Sequence, residues 1–216
     1  MINKNISTTT IFDAQANTEN GRYIYNSLEA TINSDNNLWL YFGTGDSQKL
    51  QNSSNQIQNR LFGIKDKDFP SYNNVSTGTY SNCSSSGCPN SSQIGWYVDL
   101  KKSQKVTAKA TIDKDRVYFP IYEPTKGSNV CNSGKAILHA YDAKCGSIIA
   151  NFPVSIGTGV LSEVVIQGDN LYIGLAGEAN KNIAGGFTSK DNLITGKSEA
   201  IPASGAVQIE SWKENY

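Results

Sequence analysis

The sequence has little excess charge, no long apolar run, one histidine and one methionine. Its 19 Lys and Arg residues balance 19 Asp and Glu residues, so the formal net charge is zero. The basic residues are scattered, with no Lys/Arg run longer than Lys101–Lys102. Proteins that bind nucleic acid or anionic membranes through electrostatics carry a basic patch or stripe. We therefore expect no nucleic-acid partner.

The chain also lacks a candidate membrane segment. No stretch approaches the ~20 apolar residues that a spanning helix needs. The N-terminus, Met1 to Asn5, leads into a polar Ser/Thr run without an apolar signal core. The four cysteines nevertheless indicate an oxidising compartment, so we expect the chain to be the C-terminal piece of a longer exported protein; an artificial start or a split reading frame would fit equally well.

Residues suited to catalysis are scarce. The single histidine, His139, lies in a predicted strand beside Ala140 and Tyr141, with no nucleophile motif nearby. Carboxylate pairs for acid–base chemistry can be drawn from Asp99, Glu123, Asp142 and Glu163, but nothing selects two of them. We predict no catalytic residue and no enzymatic activity.

Metal-binding patterns are equally weak. Calcium needs six to eight oxygen ligands, which a loop supplies at alternating positions. The segments 34–37, 66–68 and 113–115 carry acids or amides but lack a closing acid at the required spacing. Cys83 and Cys88 lack a second ligand pair for zinc. We predict no metal residue in this chain.

The four cysteines predict disulfides. Cys83 and Cys88 lie in a polar loop, and Cys131 and Cys145 flank a predicted strand, which fits two disulfides in an oxidising compartment. Four cysteines allow three pairings. Sequence proximity favours Cys83–Cys88 with Cys131–Cys145, although the strand between the latter two would span about 30 Å when extended.

Strand signals recur along the chain, whereas helical periodicity is nearly absent. The region 47–57 is predicted as loop or one short turn. Alternating apolar residues predict a hairpin of 105–112 with 116–122, and further hairpins of 135–141 with 147–154 and of 161–167 with 171–175. Strands near 22–32, 37–43, 59–65, 95–100 and 206–212 bring the total to about eleven.

Three long polar loops separate these strands, at 66–94, 123–133 and 177–200. Long loops in compact domains are commonly functional. Tyr72, Tyr80 and Tyr122 lie in or beside them and are candidate binding residues, whereas the tryptophans are predicted to pack between strands. Many short strands with regular turns indicate a sandwich, barrel or propeller.

Four segments in a fixed order carry a family resemblance. They read WLYFGTG (39–45), LFGIKD (61–66), GWYVDL (95–100) and VQIESWKE (207–214). This set resembles the C-terminal propeller-like domain of the PilC/PilY family of type IV pilus biogenesis and tip-adhesin proteins, over roughly residues 37–216. The segment 138–146, LHAYDAKCG, also resembles the inner-strand turn of quinoprotein-type propeller blades.

The resemblance implies an all-β, propeller-like fold that is incomplete or modified, since about 40–45 residues form one four-stranded blade. Residues 1–36 would be a lead-in with the first strand, and 37–216 the propeller-like domain. The implied function is non-enzymatic support of pilus assembly, extension and adhesion. Implied partners are type IV pilins, minor pilins or a host-surface receptor, at the cell surface, the pilus tip, the outer membrane or the periplasm.

The resemblance implies no cofactor for this chain, because the calcium loop found in the family would lie outside it. Two alternatives remain open. A fragment of a quinone-dependent (PQQ-type) dehydrogenase propeller would need a vicinal cysteine pair and calcium ligands, and the sequence shows neither. A carbohydrate-binding propeller would recognise glycans through exposed tyrosines.

Overall fold

The computed structural model describes residue 12 and residues 22–51, 57–70, 79–83, 88–125 and 133–198. Within them the chain is all-β, as predicted, and forms two sheets. The only helical element in these residues is a 3₁₀ turn at Ser47–Lys49, which agrees with the short turn predicted there. Asp46 caps this turn by accepting a hydrogen bond from the amide of Gln48 at 3.0 Å.

The first sheet comprises strands β1 to β5. They are β1 (Glu29–Ile32), β2 (Leu38–Gly43), β3 (Arg60–Asp66), β4 (Ser81–Asn82) and β5 (Gly95–Asp99). Their spatial order is β1-β2-β3-β5-β4, with antiparallel pairing except between β4 and β5. The three motif segments of the first half of the chain therefore form the central strands β2, β3 and β5.

The second sheet comprises strands β6 to β13. They are β6 (Lys105–Val106), β7 (Thr111–Asp113), β8 (Arg116–Glu123), β9 (Lys135–Asp142), β10 (Val154–Gln167), β11 (Asn170–Ala179), β12 (Thr188–Lys190) and β13 (Leu193–Lys197). Their order is β12-β13-β11-β10-β9-β8-β6, and β7 also pairs with β8. Every pairing in this sheet is antiparallel.

Strands β8 and β9 are buried on both faces and separate two apolar cores. On β8, Val117, Phe119 and Ile121 join Trp96 of the first sheet in one core. Tyr118 points the other way, into a second core built mainly from β9, β10 and β11. Because alternate strand residues face opposite sides, a strand covered on both sides is apolar at nearly every position.

The predicted hairpins are partly correct. The hairpin of β10 with β11, turning at 168–169, is confirmed. The strand predicted over 105–112 is wrong as a single element, because the structure divides it into β6 and β7. The return strand predicted over 147–154 is also wrong: after one bridge between Tyr141 and Ile148 the chain turns, and β10 begins only at Val154.

The prediction of a loop over 177–200 is also wrong. This range contains the last residues of β11 and the whole of β12 and β13. The strand predicted near 206–212 lies outside the described residues. The two sheets do not close into a ring within the described ranges. No helix in this part of the chain has the length and apolarity to cross a bilayer.

Candidate functional site

Trp96 on β5 joins the first sheet to the turn that follows β9. Its side chain is fully buried, and its indole N–H donates to the carbonyl oxygen of Ala143 at 2.8 Å. Two glycines leave room for the ring: a Cβ added to Gly63 would lie 2.4 Å from the indole, and one added to Gly146 would lie 2.6 Å from it. We call this contact the tryptophan joint.

The turn itself follows the prediction made for 138–146. The Asp142 carboxylate accepts hydrogen bonds from the amides of Lys144 and Cys145 at 2.9 and 2.7 Å. Gly146 adopts a positive φ of 67°, a conformation that glycine reaches without steric cost. Asp and Gly therefore close a tight turn, which the tryptophan joint holds against the first sheet.

A disulfide ties the same turn to the loop before β5. Cys88 and Cys145 are bonded, with a sequence separation of 57. The pairings predicted from sequence proximity, Cys83–Cys88 and Cys131–Cys145, are therefore wrong, because the fold brings Cys145 to Cys88 across the two sheets. The Cys83 thiol donates to the Cys145 carbonyl at 2.8 Å, and Cys131 lies outside the described residues. The disulfide is not the vicinal pair that a quinone-dependent dehydrogenase would require.

A layer of buried polar groups marks one end of the fold, where β2, β5 and β8 end. Six of the ten buried polar or charged side chains in the described residues lie here: Arg22, Thr44, Asn59, Ser103, Gln104 and Lys105. Burying a polar group is costly unless it is hydrogen-bonded. The hydrogen bonds of these side chains therefore determine whether the layer stabilises the fold.

Thr44 and Asn59 connect the strand ends in this layer. The Thr44 hydroxyl donates to the Asn59 side-chain oxygen at 3.1 Å and accepts from the Arg60 amide at 2.9 Å. The Asn59 amide group donates to the Gln104 carbonyl at 2.7 Å. A Cβ on Gly43 would lie 2.2 Å from Val106. Glycine at position 43 of the first motif is therefore required by the close approach of β6.

Lys105 fixes the 3₁₀ turn to the same layer. Its ammonium group donates to the carbonyl oxygens of Lys49 and Leu50 at 2.9 and 2.7 Å. Burial lowers the pKa of Lys105 to about 8. The last carbonyl groups of a helical turn have no hydrogen-bond donor within the turn, and Lys105 supplies one to these two.

Tyr122 has a structural role that differs from the predicted one. Its side chain is buried, and its hydroxyl accepts from the Gly134 amide at 2.8 Å and from the Gln51 side chain at 2.6 Å. The expectation that Tyr122 offers its ring to a ligand is therefore wrong. It instead ties β8 to the start of β9.

The other two candidate binding residues, Tyr80 and Tyr72, receive no support as an exposed binding surface. Tyr80 is half-buried and packs edge-on against Phe12, with ring centroids 5.6 Å apart. Burial raises the pKa of its hydroxyl. Tyr72 lies outside the described residues. Tyr80 thus contributes to a small aromatic core with Phe42 and Phe62 rather than standing clear in solvent.

A pocket of about 440 Å³ opens above the polar layer. We call it the lysine pocket; its lining residues are Lys101, Lys102, Ser103, Glu123, Pro124, Thr125 and Lys135. Its volume falls in the range of about 300–1,000 Å³ typical of ligand sites. Sequence reasoning missed it, although Lys101–Lys102 directly follows a strand end.

The charges of the lysine pocket are only partly balanced. The Glu123 carboxylate accepts from the Gln104 side chain at 2.7 Å and lies 3.6 Å from the Lys135 ammonium. Lys101 and Lys102 are exposed and form no ion pair within the described part of the chain. The pocket is therefore suited to binding an anion.

His139 is buried near these charges. Its Nδ1 lies 3.0 Å from the Tyr141 hydroxyl, and its Nε2 has no hydrogen-bond partner in the described structure. Burial, together with a smaller contribution from the positive charge of Lys101, lowers the pKa of His139 to about 4. The ring is thus neutral near pH 7. Across the described ranges, no group of three or more His, Cys, Asp or Glu side chains could hold a metal ion.

Comparison with known proteins identifies a fold and no family. No protein-family model matches the chain, and no curated protein matches it. The solved C-terminal domain of PilY1 from Pseudomonas aeruginosa is similar, with a TM-score of 0.50 and 13% sequence identity. The match covers 74% of this chain and 45% of that one, so this chain spans less than half of that domain. At this identity the likeness shows a PilY1-like fold.

Proposed function

We propose that this chain is a non-enzymatic part of a pilus-associated protein, which docks type IV pilins, minor pilins or a surface ligand. The observation that carries the proposal is the fold shared with the PilY1 C-terminal domain. The proposal invokes no cofactor and no catalytic step.

The positions of the motif residues support this proposal. Three of the four segments that resemble the PilC/PilY family form β2, β3 and β5, and two of these strands, β3 and β5, meet at the tryptophan joint. A glycine beside a buried indole is a packing requirement, because any side chain there would overlap the ring. The motif residues thus maintain the packing of the fold, and we assign binding to the loops.

The disulfide supports export. Disulfides persist in secreted, periplasmic and cell-surface proteins and are rare in reducing compartments. Cys88–Cys145 joins the loop before β5 to the turn after β9. A location at the cell surface, the pilus tip, the outer membrane or the periplasm is consistent with this bond.

Docking would proceed by surface complementarity through the loops at 66–94 and 123–133. In the described part of the first loop, Cys88 is bonded to Cys145, and Tyr122 ties β8, the strand that leads into the second loop, to Gly134. Holding a loop before binding reduces the conformational entropy lost on association. These two restraints therefore favour recognition.

The test is direct binding of the oxidised, full-length chain to purified ectodomains of type IV pilins and minor pilins from the same bacterium, by biolayer interferometry. We expect saturable binding to at least one of them. The matched control is a Cys88→Ser/Cys145→Ser variant, which should bind more weakly because its loop is no longer held. Absence of binding to every pilin and to host-cell surfaces would refute the proposal.

A further inference from the structure

We propose that the lysine pocket binds the carboxylates of an acidic peptide segment in a protein partner. This inference stands on the geometry of the pocket and does not depend on the pilus-associated role. It concerns residues that neither the family resemblance nor the predicted binding tyrosines include.

The first argument is charge. Three lysines and one glutamate line the pocket, which gives a net charge of +2. The glutamate is already held by Gln104 and Lys135. Lys101 and Lys102 retain their charges without an acidic partner in the described residues. Two like charges on adjacent residues of a pocket favour an incoming anion, because each would otherwise repel the other.

The second argument is preorganisation of the turn that carries both lysines. The Gln104 amide donates to the Lys101 carbonyl at 3.0 Å, and the Lys101 amide donates to the Gln104 side chain at 3.1 Å. Ser103 within this turn has a positive φ of 74°. Non-glycine residues adopt this conformation only where the surroundings enforce it.

The same turn is anchored from below. The Gln104 side chain is buried and donates to the Glu123 carboxylate at 2.7 Å, and the Gln104 backbone carbonyl accepts from the Asn59 side chain at 2.7 Å. The backbone under Lys101 and Lys102 is therefore fixed, while the ammonium groups stay exposed. Binding would lose little backbone entropy.

The third argument concerns the class of ligand. None of the described residues that line the pocket is aromatic, so they offer no ring on which a sugar could stack. It also lacks arginine, whose planar fork binds one phosphate or one carboxylate through paired hydrogen bonds. Lysine ammonium groups are flexible point charges, so each can bind a separate anionic group, and a peptide with several acidic residues supplies one carboxylate for each.

The experiment uses the full oxidised chain and fluorescein-labelled hexaglutamate, with labelled hexaglutamine as the uncharged control. Fluorescence anisotropy at low salt should show binding of hexaglutamate and none of hexaglutamine. The affinity should fall as salt is raised toward about 150 mM, because surface charges are then screened. Unlabelled oligogalacturonate and inorganic phosphate serve as competitors.

Two double variants separate the pocket from general surface charge. Lys101→Gln/Lys102→Gln should weaken hexaglutamate binding about tenfold, as expected for the loss of two exposed ion pairs. Lys181→Gln/Lys190→Gln removes the same charge from exposed residues outside the pocket and should leave the affinity within about twofold. Glu123→Gln should tighten binding, since it removes the one acid in the pocket.

Three results would overturn the inference: no binding of hexaglutamate at low salt, equal weakening by both double variants, or tighter binding of oligogalacturonate or phosphate than of the peptide. Circular dichroism of each variant verifies that it is folded. Because the pilin experiment uses different ligands, failure of the lysine pocket and failure of the proposed function give separate results.

Discussion

The tryptophan joint predicts that the two described tryptophans respond differently to the same substitution. Trp96 is fully buried, and its indole donates to Ala143 at 2.8 Å. Trp39 is 4% exposed, and its indole nitrogen is buried without a hydrogen-bond partner in the described structure. Replacing either by phenylalanine removes a similar volume, but only the change at Trp96 breaks a hydrogen bond.

The magnitude follows from these contacts. Loss of ring contacts costs about 1–2 kcal/mol of unfolding free energy at either position. At Trp96 the carbonyl of Ala143 also loses its donor, which adds about 1–3 kcal/mol. At Trp39 the substitution removes an unsatisfied N–H group and so offsets part of its own cost. Trp96→Phe should therefore be more destabilising than Trp39→Phe by about 2 kcal/mol.

Urea unfolding followed by circular dichroism measures this difference without relying on tryptophan fluorescence. Thermal unfolding followed by the same signal should separate the two variants by about 4–8 °C in Tm, given about 2–4 °C per kcal/mol for a domain of this size. Equal slopes against urea would show that both variants unfold the same surface. Equal destabilisation, or a larger effect at Trp39, would refute the role given to the indole hydrogen bond.

Two further predictions test the disulfide and the buried histidine. Cys88→Ser/Cys145→Ser should lower the unfolding free energy by about 4 kcal/mol, as expected for opening a loop of this length. A tryptic digest of unreduced Cys83→Ser protein should link residues 68–101 to 145–181, and separate peptides would contradict the pairing. Because the pKa of His139 is about 4 when folded, and near 6.5 when unfolded, the unfolded state binds more protons between these values and stability falls as pH drops from 6.5 to 4. The loss should approach about 3 kcal/mol and be absent in His139→Gln; an unchanged pH dependence in that variant would exclude His139 as its cause.

Elements with strong local signals could be predicted from the sequence. β2, β3 and β5 are aromatic and aliphatic runs that end at glycine or aspartate, and the predicted strands agree with them within about two residues. The β10–β11 turn follows from Gly168 and Asp169, because those residues favour tight turns. In these places the local preference and the final packing agree.

Elements that depend on neighbours could not be predicted. β12 and β13 lie in a stretch rich in Ser, Asn and Gly, and only Ile194 of β13 adds a large apolar side chain to the core. β13 pairs with β11, and β12 in turn pairs with β13, so the place of both strands in the sheet depends on β11. The prediction of the cysteine pairing is wrong for the same reason, since Cys88 meets Cys145 only after the two sheets pack.

The candidate site shows the same limit. The lysine pocket joins the turn after β5 to the end of β8 and the start of β9, which are far apart in sequence. A pair of lysines directly after a strand was the available signal, but charge alone does not show which strand ends converge. The prediction for Tyr122 is wrong in the opposite direction: its position beside a loop suggests an exposed binding residue, whereas the structure buries it.

The disulfide also has a mechanical consequence. A pull on the two ends of the chain would pass directly from Cys88 to Cys145, whose Cα atoms are 4.2 Å apart. The intervening segment would measure about 190 Å if drawn out, at about 3.3 Å per residue. That segment includes β5 to β9 and every residue that lines the lysine pocket. Tension along the chain would thus bypass the pocket for as long as the bond stays oxidised.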